Sequence, residues 1–385
     1  MRLLIKRKCS SSAPILPENR ELPLDLWREV FARLPVKTLL KLRCVCKNWC
    51  SIINNPDFFS MHLTIYNNTP NNKTHALVMK KIGKNGCEGC KFTLRPTNKF
   101  KKIAQILRIP KFCKLLGNCN GLVLFMSKEF PSSEQVMLRL WNPSVRKSLI
   151  IPFIPSDFKW ETYVLGFSPS SNDYKVVAFD FDRDGNVYAV YSISTNTWRI
   201  KPCPSNSLPL FVLEAGGNLP LYDSPHFCQG AVHWMVCGSV PNIYTHVLSF
   251  EFDTEDFHIV ELPDSAGEVE MCRGLTTVGE ELAVFGISAL NCCIWVMRKE
   301  GGEKLWSLRF SGDSCLDSYN FVARDCYFLK RFYYEQKTGV ISLVTSGQGM
   351  KSYNISTQRR QHLFNSVSRS IAYMDAYVES LVWFP

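Results

Sequence analysis

Apolar residues change their spacing along this chain. Between Leu22 and Ile53 they recur at threes and fours; beyond residue 116 they form short runs closed by turn residues. The first spacing is that of helices, the second that of strands. Pro23 fits a first helical position, and Asp25 places a carboxylate where the helix dipole favours it. Leu26, Val30 and Leu34 follow at four-residue spacing, with Trp27 and Phe31 as a second row, and Glu29 and Arg33 are placed to pair on the wet side. Pro35 stops this helix. Leu39, Leu42, Val45, Trp49, Ile52 and Ile53 make a further apolar set, predicting two short helices or one bent one that ends at Pro56. A helical unit of about forty residues buries too little surface to be secure alone. Some of its apolar rows must face the rest of the chain or another protein.

The long remainder repeats. Each unit opens with an apolar strand: "GLVLFM" at 121, "YKVVAFDF" at 174, "GAVHWMVC" at 230, "LAVFGIS" at 282 and "GVISLVTS" at 339. A second strand then runs into a polar turn, marked by Asn142, Ser194, Asp253, Glu300 and Ser356, at steps of 52, 59, 47 and 56 residues. Strands throughout, at a period of about fifty residues, predict a propeller of four-stranded blades. Residues 91–110 read as a degenerate sixth copy. The C-terminal "YVESLVWFP" reads as the first strand of a unit whose remainder lies at the other end of the β region. One blade sharing strands from both ends leaves no open edge. The expectation is a small all-α unit followed by a closed all-β propeller of six blades, with seven as the alternative.

Composition narrows the function. Of 385 residues, 46% are hydrophobic, enough for a packed core, and the apolar runs are only strand-length. The N-terminal "MRLLIKRKCSSSAP" lacks the long apolar centre of an export signal, which points to cytoplasm or nucleus. In that compartment the 16 scattered cysteines read as reduced thiols, and the glycosylation-type triplets at Asn67, Asn72 and Asn354 as chance. The net charge of +11 is uneven: residues 63–116 hold 12 basic side chains against 1 acidic, and residues 117–385 hold 22 against 28. Those lysines alternate with apolar residues, as solvated strand faces do, and nucleic acid is not the favoured partner.

Candidate chemistry is sparse. Cys87 and Cys90 form a CxxC, but no second ligand pair has the spacing of a zinc site. Cys292 and Cys293 are adjacent on a strand and face opposite ways. "DFDRDGN" at 180–186 lacks the closing Glu of a calcium loop and reads as a β-turn. His233, in an apolar strand, reads as a satisfied core histidine. No P-loop, nucleophile elbow or HExxH occurs. No cofactor, metal or membrane is expected.

The stretch "LPLDLWREVFARLPVKTLLKLRCVCKNWCSIINNPDF" resembles an F-box, matching family positions at Leu22, Pro23, Leu34, Pro35, Val45, Cys46, Lys47 and Trp49. The resemblance implies docking onto a Skp-type adaptor, and through it to cullin and RING subunits of a ubiquitin ligase. Leu22, Pro23, Leu26, Leu34, Pro35, Val45 and Trp49 are the candidates for that face; Leu26, Val30, Leu39 and Ile52 are not sorted between core and interface. "LWNPSVRK", "VLGFSPSSNDYKVV", "YSISTNTWR" and "GAVHWMV" resemble the F-box-associated domain of plant F-box/kelch-repeat proteins, although Gly216-Gly217 and Gly301-Gly302 lack the rest of a kelch pattern. The expected division is a basic tail at 1–17, F-box at 18–62, linker at 63–73 and propeller at 74–385. The implied function is a non-catalytic receptor that holds an unknown target protein for ubiquitination. Leu210, Phe211, Leu221 and Tyr222, in the long connection 205–227, are weak candidates for target contact. The alternative class is an enzyme or carbohydrate-binding propeller with an incidental helical N-terminus.

Overall fold

Three prolines set the helix boundaries. In the computed structural model, Pro23 caps α1 (Leu24–Ala32), its carbonyl accepting hydrogen bonds from the backbone N–H of Leu26 and Trp27. Pro35 caps α2 (Val36–Leu42) in the same way, and α3 (Lys47–Asn54) starts after Cys46. The structure describes residues 22–67, 75–82, 89–96, 104–109, 113–128, 136–155, 162–180, 187–203, 225–237, 244–263, 272–287, 291–300, 303–313, 329–335, 339–345, 349–354, 357, 359–364 and 371–383.

The helical expectation is corrected in number and extent. Pro56 does not end the helical region; it is the first residue of α4 (Pro56–Asn67), which runs on past residue 62 into the stretch expected as linker. A proline lacks only a donor that the first turn does not use, so it begins a helix as readily as it ends one. The expected first helix and the two short ones after it are α1, α2 and α3, and α4 is a fourth. Glu29 and Arg33 do pair, at 3.5 Å, but both are exposed, so the pair adds little.

Six four-stranded antiparallel sheets follow among the described residues. The second contains β4 (Cys113–Cys119), β5 (Leu122–Ser127), β6 (Met137–Asn142) and β7 (Lys147–Ile151). The third contains β8 (Thr162–Ser168), β9 (Asp173–Asp180), β10 (Val187–Ser192) and β11 (Thr197–Pro202). The fourth contains β12 (His226–Cys228), β13 (Ala231–Cys237), β14 (Tyr244–Glu251) and β15 (Phe257–Glu261). The fifth contains β16 (Cys272–Val278), β17 (Glu281–Ile287), β18 (Asn291–Glu300) and β19 (Glu303–Asp313). The sixth contains β20 (Leu329–Glu335), β21 (Val340–Thr345), β22 (Gly349–Asn354) and β23 (Arg359–Phe364). The first sheet takes strands from both ends of the β region, in the order β24 (Ile371–Tyr377), β1 (His75–Ile82), β2 (Gly89–Pro96), β3 (Ala104–Ile109). First strands touch around a circle: β4 meets β8, β8 meets β13, β12 and β13 meet β16, β16 meets β20, and β24 touches both β20 and β4.

Closure by the last strand is as expected, but the segment is different. "YVESLVWFP" contributes only Tyr377 to β24, opposite His75; the ladder continues backwards through Ala376, opposite Ala76, to Ile371. Residues 378–383 leave the sheet. Leu381 and Val382 are adjacent and both buried, because each enters a different core.

The apolar runs that opened each predicted unit are second strands, and the structure explains why they are continuous. In β5, Leu122 and Leu124 enter the layer between the second and third sheets, while Val123 and Phe125 enter the layer between the first and second. In β9, Val176 and Ala178 face one neighbour, and Val177 and Phe179 the other. Both faces of such a strand are covered, so alternation vanishes. Outer strands β7 and β11 are mostly exposed. The turn markers Asn142, Ser194, Asp253 and Glu300 fall at or beside third-to-fourth-strand connections, and Ser356 lies outside the described residues. In three of these connections a residue at or next to the end of the turn is left-handed: Arg146 (φ 59°), Asn196 (φ 55°) and Glu255 (φ 61°). Gly166 of β8 lies so close to the Phe252 ring that a Cβ there would overlap it.

Candidate functional site

The helical unit leaves several large aliphatic side chains in water. Leu22, Leu24, Leu26 and Val30 are each about half exposed, and Val45, in the α2–α3 turn, is 61% exposed. Pro23 and Pro35 are exposed as well. The row at four-residue spacing, Leu26 and Val30, is thus the outward row of α1, while Phe31 is the inward one. Leu39 and Ile52 are buried, which separates them from Leu26 and Val30. Large aliphatic side chains left in water together on one small unit mark an interaction surface. Leu24 is not among the sequence candidates, and Val30, unsorted there between core and interface, falls with its row-mate Leu26 on the exposed side.

Leu34 and Trp49 lie deeper. Both are half-buried and pack against the helical core. Trp49 sits 4.9 Å from Trp27 and 5.3 Å from Phe31, ring centre to ring centre, so its first role is to join α3 to α1. The Leu34 carbonyl bonds Nε2 of His62 on α4 at 2.9 Å, and burial pushes the His62 pKa down. The exposed surface is therefore backed by a fixed core.

That core is not made of helices alone. Phe31, Ala32, Val36, Leu39, Ile52, Ile53 and Phe58 close around Leu381, from the segment after β24, with Val145 of the β6–β7 turn packed against them. Asn142 holds this segment: its Nδ2 donates to the carbonyl of Val382 at 2.7 Å and to the carbonyl and Oγ of Ser380 at 3.1 and 3.2 Å. Its Oδ1 accepts from the N–H groups of Ser144 and Val145, which fixes the amide's orientation. The Ser144 and Tyr377 hydroxyls bond at 2.8 Å, and Lys147 Nζ lies 5.0 Å from the Trp383 ring centre. Gly121 (φ 82°) gives the segment its bed; a Cβ there would collide with Ser380. The sequence marks Asn142 only as a turn residue, because nothing local announces a partner that follows more than 230 residues later.

Beside this segment, a cavity of about 640 Å³ separates α4 from the ring. Phe59 and Leu63 of α4, Val382 and Trp383 of the segment, and Asn120, Phe167 and Tyr174 of the ring line it. The helical unit thus sits on the end of the ring that carries the first-to-second-strand turns.

Charge is concentrated at one junction between sheets. Glu255 is buried and bonds Lys175 at 2.9 Å, Arg199 at 2.8 Å and Lys201 at 2.5 Å. Burial pushes its pKa up, but hydrogen bonds from Lys201 and Lys175, with the charges of Lys175 and Arg199, outweigh it and leave the carboxyl at about 2. Lys175 also donates to the Phe252 carbonyl, so this cluster ties the third sheet to the fourth. Every member is partnered, as in a structural network.

The remaining sequence candidates are dispersed or undescribed. Leu210, Phe211, Leu221 and Tyr222 lie outside the described residues, as do Cys87 and residues 181–186 of the expected turn. His233 is buried, with Nδ1 2.7 Å from Ser249 Oγ and Nε2 3.3 Å from the Cys228 carbonyl, a satisfied core histidine. Cys292 is buried and Cys293 half-buried. Among the described residues, no three His, Cys, Asp or Glu side chains gather as metal ligands, and no helix is long and apolar enough to cross a membrane.

Comparison with known proteins bears on both parts of the chain. Residues 65–384 match the family described as F-box associated beta propeller domain, and residues 20–61 match the F-box domain. An F-box/kelch-repeat protein of Arabidopsis thaliana is 26% identical over 373 residues, covering 91% of this chain and 92% of the relative. An F-box protein of the same plant is 25% identical over 299 residues, 74% of this chain; the match spans 61% of that relative, under two thirds of its length. The Arabidopsis thaliana F-box protein CPR1 is 22% identical over 316 residues, covering 75% and 72%.

Proposed function

Because the chain belongs to the family of F-box proteins with an F-box associated β-propeller domain, we propose that it is the substrate receptor of a cullin–RING ubiquitin ligase. The F-box docks a Skp-type adaptor, the propeller holds a target protein, and the chain itself performs no chemistry. Its contribution is proximity: a held target meets the ubiquitin-charged enzyme at high effective concentration. The observation that carries this reading is the set of exposed aliphatic side chains Leu22, Leu24, Leu26, Val30 and Val45, on a helical unit whose core is otherwise closed. Leu22, Pro23, Leu26, Pro35 and Val45 supply the contact surface, and Leu34 and Trp49 stiffen it from behind.

Replacing Leu26 and Val45 with Asp tests this directly. Both side chains are exposed, so the melting temperature should hold, while adaptor affinity should fall by about 2 kcal/mol or more for each anchor lost. Affinity is read by titrating the full-length chain with purified adaptor. Unchanged affinity in the double variant would end the reading.

The target end of the ring follows from which end the F-box occupies. The F-box faces Asn120, Asn172 and Glu280, of three first-to-second-strand turns, across the cavity; in these antiparallel sheets the fourth strands end and the first strands begin at the opposite end. The connection from β11 to β12 contains Leu210, Phe211, Leu221 and Tyr222, which we assign to target contact. Changing these four to Ser in the adaptor-blind double variant should remove specific proteins from those it retains in cells. An unchanged set of captured proteins would place target binding elsewhere. Residence in cytoplasm or nucleus is checked by imaging a fluorescent fusion.

A further inference from the structure

We propose that residues 378–383 are a strap that makes adaptor docking conditional on closure of the ring, and that Leu381 and Asn142 are positioning residues for a docking face neither belongs to. The inference rests on the adaptor-docking reading above and adds a control to it. Leu381, only 3% exposed, is part of the F-box core, while its neighbour Val382 is part of the core between the second and third sheets. The same short segment therefore fills a place in each unit. It starts at Tyr377, the residue with which β24 ends its pairing to β1. Leu381 can reach the F-box core in this arrangement only when β24 is seated, and β24 is the strand that closes the ring.

The connection between the two units is concentrated in this strap. A cavity of about 640 Å³ lies between α4 and the ring, so direct helix-to-sheet packing is interrupted there. Phe59 packs against both cores and Val145 supports Leu381. The side-chain hydrogen bonds that hold the strap to the ring converge on Asn142, whose amide uses its donor on the strap and its acceptor on its own turn. Gly121 completes the seat, since any side chain there would push Ser380 away. An F-box with an incomplete core spends part of its time in conformations that do not dock, and its apparent affinity falls by that fraction. A chain whose ring has not closed would then engage the ligase poorly, before it could present a malformed target surface.

The test uses the full chain and purified Skp-type adaptor, with four single variants. Asn142→Ala loosens the strap from the ring, Leu381→Asp withdraws it from the F-box, Ala376→Pro breaks β24 pairing, and Leu381→Met keeps an apolar side chain in place. The first three should bind adaptor roughly tenfold more weakly or worse, and Leu381→Met should return most of the affinity. Amide exchange should quicken at Phe31, Leu39 and Ile53 in the weak binders. For Asn142→Ala and Leu381→Asp, the β5 and β9 amides should stay protected, which separates the effect from general unfolding. Wild-type affinity and wild-type exchange in Asn142→Ala and Leu381→Asp would overturn the proposal. If the unaltered chain bound no adaptor, the functional reading would fail instead; exchange in Leu381→Asp would then decide the strap alone, faster helical exchange supporting it and unchanged exchange overturning it.

Discussion

Substituting Glu255 with Ala should cost the ring about 3–5 kcal/mol, because it strands a buried Lys175 without its counter-charge. Lys175 is almost wholly buried; without Glu255 its hydrogen bond is to the neutral Phe252 carbonyl, and the Asp253 carboxylate acts on it only through space. Arg199 and Lys201 reach water and can relax, so the loss comes chiefly from Lys175. Calorimetry of the variant should show a lower, broader transition, and Glu255→Gln should lie between it and the unaltered chain. The same carboxyl gives a pH signature. Its folded pKa, about 2, lies below that of an unfolded glutamate. The stabilisation is therefore fully present above the unfolded value, roughly 4.3. It is lost as pH falls from there toward 2. Unfolding free energy should decline over that window in the unaltered chain and decline less in Glu255→Gln. Parallel pH profiles in the two proteins would show that the network adds nothing to stability.

Much of the architecture was legible in the sequence, for reasons specific to its strands. A second strand such as β9 is covered on both sides, so it reads as an unbroken apolar run that stands out from everything around it. Third-to-fourth-strand turns are polar, and three of them carry a left-handed residue at or next to their end. First strands were hard to see: β12 is only three residues long, and β4 carries Gly117 and Asn118 in its middle. Helix boundaries failed at Pro56 because a proline both stops and starts helices, and only the presence of further packing decides which. For the docking face, the four-residue spacing showed that Leu26 and Val30 share a row, but not whether the row points in or out. That depends on which other row, here Trp27 and Phe31, finds α3 and α4. The strap was not legible, since Leu381 and Val382 look like any strand residues until two cores are in place to receive them.

Nested truncation should separate the strand from the strap, and the larger loss should come from the strand. A chain ending at Ser370 lacks β24, so β1 presents an unpaired edge, and β4 and β20 lose the neighbour that stood between them. An open ring with a bare inner edge has no cooperative core to fall back on, and such an edge invites pairing with other chains. We expect this chain to aggregate on expression or to melt far below the intact protein. A chain ending at Tyr377 keeps β24, its whole ladder to β1 and the Ser144–Tyr377 hydroxyl bond. It loses Leu381, Val382 and Trp383. The ring should stay closed and its main transition should shift modestly. The F-box loses a fully buried leucine from a small core, a loss of the size that destabilises by about 2–5 kcal/mol elsewhere, and a small helical unit has little to spare. Its four helices should then melt separately and earlier, visible by circular dichroism as a helical transition preceding the β-sheet one, and added adaptor should raise that first transition by binding the folded helices. Equal behaviour of the two truncated chains would mean that closure and strap are not distinct steps; a single unshifted transition in the chain ending at Tyr377 would mean that Leu381 is a guest in the F-box core and not one of its supports.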